Sequence, residues 1–351
     1  MMFHRRSGTL DAELTAMNEC MPHYYRITQG HGQGAELLMN AEAAFMQGNF
    51  SDAQILLEQT YATIASNGQH NISLCCDFLA ARLSLFQESV TFVKNPEVKR
   101  KELPSLHNMM WPNIFDSTYA YYYALIRRPE KIPALFKDHM LSTVSFLSPC
   151  RPMMEMIENQ VFLSQKMYAK VIGRSETLLP VCEKMHYELV SLHVQIQTAA
   201  AYAMLGKHHD ARQLLLKALG HAMPDGFLIP FVENYTYIKD VLSSINFIAS
   251  EPFTDRILSL GSVYEQHCLR LSSHNSRPES LNVLNSREAE IAALITDRLS
   301  NREIAERLFL SEGTVKQYVN QIYSKLMING DTRTKRKQLA ELISSINKGL
   351  T

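Results

Sequence analysis

The sequence predicts an all-α protein, and three observations carry that prediction. Apolar residues return at three- and four-residue spacing through most of the 351 residues, whereas sustained period-two alternation flanked by hairpin turns is missing. A glycine turn recurs between helix-like stretches: Gly48-Asn49-Phe50-Ser51-Asp52-Ala53 and Gly206-Lys207-His208-His209-Asp210-Ala211 share the order glycine, aromatic or histidine, aspartate, alanine. Near the C-terminus two short segments with start signals follow each other across a tight turn. Without strands there is no place for an α/β receiver of the phospho-aspartate type or an α/β small-molecule sensor.

Residues 1–29 read as an N-terminal helical segment and 30–271 as a helical repeat region. The cluster Gly30-His31-Gly32-Gln33-Gly34 is an inter-helix turn. It lacks the lysine that neutralises a terminal phosphate, and no G-x-x-x-x-G-K-[ST] stretch occurs in the chain. A weaker copy of the glycine turn begins at Gly173, thirty-three residues before Gly206. That period resembles tetratricopeptide-like helical pairs, which stack into an α-solenoid. Leu37, Phe45, Leu56, Leu57, Leu205, Leu214 and Leu215 are expected to fill the space between paired helices.

The stretch from Asn95 to Pro152 is proline-rich and irregular, with helices expected around Ser117–Arg128 and Pro133–Leu147. Within it Trp111, Tyr119, Tyr121, Tyr122 and Tyr123 concentrate aromatic rings. Such rings fill helical cores or, on a concave surface, stack on a sugar or grip a peptide. Helices resume, and Ile257, Leu260, Tyr264, Cys268 and Leu271 mark the last one before a linker at 272–280.

The domain from 281 to 351 carries the informative pattern. Asn285 with Glu288, and Ser300 with Glu303, are capping-box pairs opening two helices, and Ser311 can cap a third. The helix-turn-helix falls at about 301–320. Val315, Val319, Ile322 and Leu326 form a buried stripe on the third helix, which leaves Lys316, Gln317, Asn320 and Ser324 outside. Lysine, glutamine and asparagine offer the donors and acceptors that base edges and phosphates require, on an element that fits the major groove.

These residues resemble the LuxR-type helix-turn-helix family over about Leu281 to Leu342. The resemblance rests on Ser286-Arg287-Glu288, Ser300-Asn301-Arg302-Glu303-Ile304-Ala305, Ser311, Thr314-Val315-Lys316, Ile322-Tyr323 and Lys325-Leu326. It implies a four-helix domain whose third helix reads DNA, with Lys316, Gln317 and Asn320 where bases are approached. The sequence departs from the family pattern at Arg298, Tyr318 and Met327. Helical repeats followed by such a domain are similar to the C-terminal portion of MalT-like transcriptional activators, here with no ATPase module.

Charge points the same way only locally. The whole chain balances 35 basic against 35 acidic residues. Between Ser311 and Lys337, however, Lys316, Lys325, Arg333, Lys335, Arg336 and Lys337 stand against Glu312 and Asp331, six minus two, or plus four. Clustered cations of this kind are a phosphate-binding footprint. The DNA-binding set is therefore Ser300, Asn301, Ser311, Thr314, Val315, Lys316, Gln317, Tyr318, Asn320, Lys325, Arg333 and Lys335.

Other chemistries find no signature. With 46% hydrophobic and 20% charged residues, no secretory signal and no membrane-spanning run, a cytoplasmic protein is expected. Six cysteines lack metal-ligand spacing and read as reduced core residues. No G-x-S-x-G elbow, H-E-x-x-H or paired CxxC occurs, so neither enzyme, metal nor cofactor is expected. The expected partners are double-stranded DNA, a second copy of the chain on that DNA, and an unidentified inducer or protein at the repeats. A stripe of Leu339, Leu342, Ile343 and Ile346 on the fourth helix would supply the dimer contact. The competing class is a repeat scaffold whose C-terminal domain has lost DNA binding.

Overall fold

A computed structural model describes residues 4–65, 69–87, 110–144, 146–246, 252–274, 286–297, 299–308, 310–326 and 334–339, with residues 90, 100, 103, 284, 328, 330 and 331. Among the described residues there is no strand, and helices make up nearly all regular structure. The chain divides into two compact units, Met1–Arg270 and Leu271–Thr351.

The first unit runs through α1 (Leu10–Ile27), α2 (Ala35–Met46), α3 (Phe50–Ala65), α4 (His70–Leu83), α5 (Met110–Leu125), a single turn α6 (Ala134–Lys137), α7 (Arg151–Ser164), α8 (Tyr168–Met185), α9 (Glu188–Met204), α10 (His208–Ala222), α11 (Ile229–Glu233), α12 (Tyr235–Asn246) and α13 (Pro252–His274). Sequential helices pack on one another, α2 on α3 and α9 on both α8 and α10.

One device ends many of these helices. A residue in the left-handed region turns the chain, and the next backbone N–H reaches back five residues to a helical carbonyl. Asn49 N–H to Ala44 O (2.8 Å), Met167 to Phe162 (2.8 Å), Tyr187 to Cys182 (2.9 Å) and Lys207 to Tyr202 (2.9 Å) all follow it. The turning residues are Gly48, Lys166, His186 and Gly206, at φ of 81°, 61°, 53° and 73°. The sequence expectation placed a third glycine turn at Gly173. That residue instead lies inside α8, and the turn preceding α8 is made by Lys166, a residue whose type gives no turn signal.

The proline-rich region also differs from expectation. α5 starts at Met110, earlier than Ser117, because Pro112 falls in its first turn, where a missing N–H costs nothing. The helix expected over Pro133–Leu147 is broken: α6 stops at Lys137, His139 turns left-handed, and one 3-10 turn follows at Leu141–Thr143. The aromatic concentration largely serves the core. Tyr119 and Tyr121 are buried, Tyr122 and Tyr123 half-buried, and Phe115 and Tyr119 pack against Leu74.

Residues far apart in sequence tie the first unit together. Arg82 of α4 donates from Nε and Nη2 to the two carboxylate oxygens of Glu233 in α11 at 2.7 and 3.0 Å, and Tyr121 O–H donates to Glu233 at 2.8 Å. The guanidinium lies 4.8 Å from the Phe45 ring centre, so the buried cation has both a carboxylate and aromatic faces. Residues 4–10, part of the segment set apart at 1–29, are fastened to the body of this unit: Asp225 accepts from Gly8 N–H (2.6 Å) and Leu10 N–H (3.0 Å). His4 is buried between Glu13 (2.9 Å) and Asp225 (3.2 Å). Cys76, Cys182 and Cys268 are buried as expected of core thiols, whereas Cys20 and Cys75 are exposed and Cys150 is half-buried.

Candidate nucleic-acid interface

The second unit is built from α14 (Ser286–Thr296), α15 (Asn301–Leu308), α16 (Glu312–Lys325) and a helical stretch at 334–339. Its core joins Leu284, Ile291 and Ile295 to Ile304 and Ala305, to Val315, Val319, Ile322 and Tyr323, and to Leu339. Burying a side chain of the Val or Ile class contributes about 1.5–3 kcal/mol. The inward stripe of α16 therefore holds the helix at a fixed rotation, which decides what its other side presents.

Local chemistry fixes where each helix starts. Ser300 and Glu303 exchange bonds: Ser300 N–H donates to the Glu303 carboxylate (2.6 Å), and Glu303 N–H donates to Ser300 Oγ (3.3 Å). Those bonds hold the Glu303 carboxyl below its ordinary range. Leu310 N–H donates to Ala305 O (2.9 Å), closing the turn, and Ser311 Oγ caps α16 by accepting from Thr314 N–H (3.0 Å).

The residues of the sequence-derived DNA set fall into two groups. Lys316, Gln317 and Asn320 are exposed on the side of α16 opposite the core, together with Ser324. Gln321, which the set omits, is exposed there too, one helical turn beyond Gln317; the four-residue spacing between the two was the available signal. The others hold the frame. Val315, named both in that set and on the inward stripe, is 0% exposed and belongs to the core, so its side chain acts from inside the domain. Tyr318 is half-buried against the same core. Ser300, Ser311 and Thr314 spend hydroxyl groups on caps, and Asn301 is the half-buried first residue of α15.

The basic residues divide in the same way. Lys325 Nζ donates to Glu288 at 2.7 Å, and the Glu288 side chain is 1% exposed against 41% for the lysine. Lys335 Nζ lies 5.8 Å from the Tyr323 ring centre, and the Arg336 guanidinium donates to the Leu299 carbonyl. Arg287 ties Leu308 O (2.8 Å) and Glu290 (2.7 Å) to the start of α14. The local plus four is thus partly structural. Arg333, Arg298, Met327, Asn285, Leu342, Ile343 and Ile346 lie outside the described residues.

Caps on α15 and α16, a turn closed by Leu310, and an outward row of lysine and amide side chains make a helix-turn-helix with a polar outer face. Residues 282–336 match the family described as GerE, bacterial regulatory proteins, luxR family. This segment is a LuxR-family domain. The chain is 44% identical over 57 residues to the transcriptional regulatory protein LnrK of Bacillus subtilis (strain 168), covering 16% of this chain and 26% of that protein. It is 45% identical over 53 residues to the transcriptional regulatory protein DegU of Brevibacillus brevis, 15% and 22% of the two chains. The DNA-binding transcriptional activator DevR/DosR of Mycobacterium tuberculosis is 35% identical over 57 residues, 16% and 26%. The matches thus span about a quarter of these relatives' lengths. No solved structure matches the chain. Among the described residues, no helix is long and apolar enough to cross a membrane.

Proposed function

We propose that this protein is a DNA-binding transcriptional regulator whose LuxR-family domain docks α16 in the major groove of promoter DNA. One observation carries the reading: Lys316, Gln317, Asn320, Gln321 and Ser324 are exposed on α16 while Val315, Val319, Ile322 and Tyr323 anchor its other side. From Lys316 to Ser324 is eight residues, a rise of about 12 Å, which is three to four base-pair steps. Gln317 and Asn320 suit adenine edges, and Lys316 suits a guanine edge or a phosphate.

In this reading the helical repeats, as tetratricopeptide-like pairs, receive a small-molecule or protein signal, and two chains occupy neighbouring half-sites. The test is a fluorescence titration of a promoter-length duplex at 50 and 200 mM salt. Groove binding weakens steeply as salt rises, because phosphate neutralisation releases counterions. A chain that binds no duplex at either salt would return the protein to the class of repeat scaffolds.

A further inference from the structure

Gly313 stands in the first turn of α16 without any reason internal to the fold. At several other positions glycine is justified by geometry. Gly48, Gly206 and Gly330 have φ of 81°, 73° and 131°, and a Cβ on Gly261 would come within 2.3 Å of the Tyr235 ring. Gly313 has an ordinary helical φ, and the nearest atom a Cβ would meet is Ser311 Oγ at 3.7 Å, a normal van der Waals contact. Alanine would therefore fit, and it would favour the helix, since glycine costs backbone entropy there. The domain gains nothing from the missing side chain.

Gly173 and Gly220 are equally unhindered, each inside a helix of the first unit. Gly313 differs in where it stands. With Gln317, Asn320 and Ser324 it follows the spacing i, i+4, i+7, i+11, one line along the exposed side of α16. Its bare backbone is the low point of that line at the helix start, the end of a recognition helix that contacts base edges. A surface that presses on this line meets polar side chains along three positions and open backbone at the fourth.

We infer that Gly313 sets how deeply α16 seats in the major groove: the duplex closes to van der Waals contact with the glycine, and any side chain there holds the helix off the bases. The inference rests on the DNA-binding reading above and adds a positioning residue to it. Lys316, Gln317 and Asn320 supply contacts; Gly313 supplies clearance. Its partner is a B-form duplex, and its effect is on every base contact at once.

The test uses the full chain and a duplex selected on the wild-type protein from a random-sequence pool, with affinity read by anisotropy. Gly313→Gln is expected to weaken binding about tenfold or more, as a modest overpacking penalty would, and Gly313→Ala by less. Helix content and melting temperature should stay level or rise in both. If both variants bind within twofold of wild type while Lys316→Ala binds weakly, the clearance role is overturned and the DNA-binding reading survives. If the wild type selects no duplex, both fall together. A lowered melting temperature for Gly313→Ala would show that the fold does need the glycine and would also overturn the inference.

Discussion

Lys316 and Lys325 sit nine residues apart on one helix, the first exposed on its outer row and the second bonded to Glu288, so under the proposed function a pair of alanine substitutions separates reading DNA from holding the fold. Lys316 is exposed on the outward row. Its removal should leave stability within about 0.5 kcal/mol, as surface changes usually do. Specific affinity should fall by about 1–3 kcal/mol, five- to 150-fold, the usual worth of one base or phosphate contact. Lys325 gives its ammonium to Glu288, a carboxylate 1% exposed, at 2.7 Å. Removing that cation should cost about 1–3 kcal/mol of stability, discounted from a fully buried pair because the lysine is 41% exposed. For a unit of this size that is a melting shift on the order of 5–15 °C. Calorimetry of the full chain, alongside duplex titration at one fixed salt, reads both effects. The reasoning fails if Lys325→Ala melts like wild type, or if Lys316→Ala binds its selected duplex undiminished.

Three further outcomes follow from the first unit. Arg82→Met strands the Glu233 carboxylate in the core and should cost about 3–5 kcal/mol in urea unfolding, whereas the double replacement Arg82→Met, Glu233→Leu should recover much of it; a double variant no better than the single one would argue against the buried pair. His193 is fully buried, and burial holds its imidazole well below the ordinary 6.5, so it folds neutral. The unfolded chain takes a proton below pH 6.5 and the folded one does not, so stability present above that value is lost on acidification: lowering pH from 7.5 to 5.5 should remove about 1 kcal/mol, and His193→Gln should cancel that loss, as urea midpoints at the two pH values would reveal. Lys166 bears the strain of φ 61°, and Lys166→Gly should raise the unfolding midpoint by the equivalent of about 0.5–1 kcal/mol, with an unchanged or lowered midpoint counting against the turn geometry.

The second unit was legible because its signals are local. Ser300 with Glu303, Ser311 before Thr314, and the stripe Val315, Val319, Ile322 are each complete within a few residues, and the structure forms them as bonds and core contacts. Legibility stopped where a residue's duty depends on something distant. Lys325 looks like part of a basic patch until Glu288, thirty-seven residues earlier, is placed beside it. Val315 belongs to a family motif and to the core at once, and its helical spacing with Val319 and Ile322 already turned its side chain inward, where it is 0% exposed. In the first unit the glycine turns at 48 and 206 announce themselves, but Lys166 and His186 make the same turn with no compositional mark. Arg82, read alone, is a helix charge; its Glu233 partner is 151 residues away.

Those distant bonds bear on how the first unit unfolds. In a linear stack of helical pairs each repeat touches only its neighbours, so stability is a sum of local terms and one end can open while the other stays folded. Here Arg82 in α4 is bonded to Glu233 in α11, Asp225 holds the backbone of Gly8 and Leu10, and Met46 O accepts from Leu228 N–H at 2.8 Å. Opening either end breaks contacts to the other and uncovers a buried carboxylate, a penalty of several kcal/mol that local fraying does not carry. The unit should therefore lose structure in one transition. Hydrogen exchange checks this: amides in α2 and α12 should be protected to the same opening free energy, with the same urea dependence. Widely different free energies for those two helices, in the intact protein, would mean that the long-range bonds do not couple them.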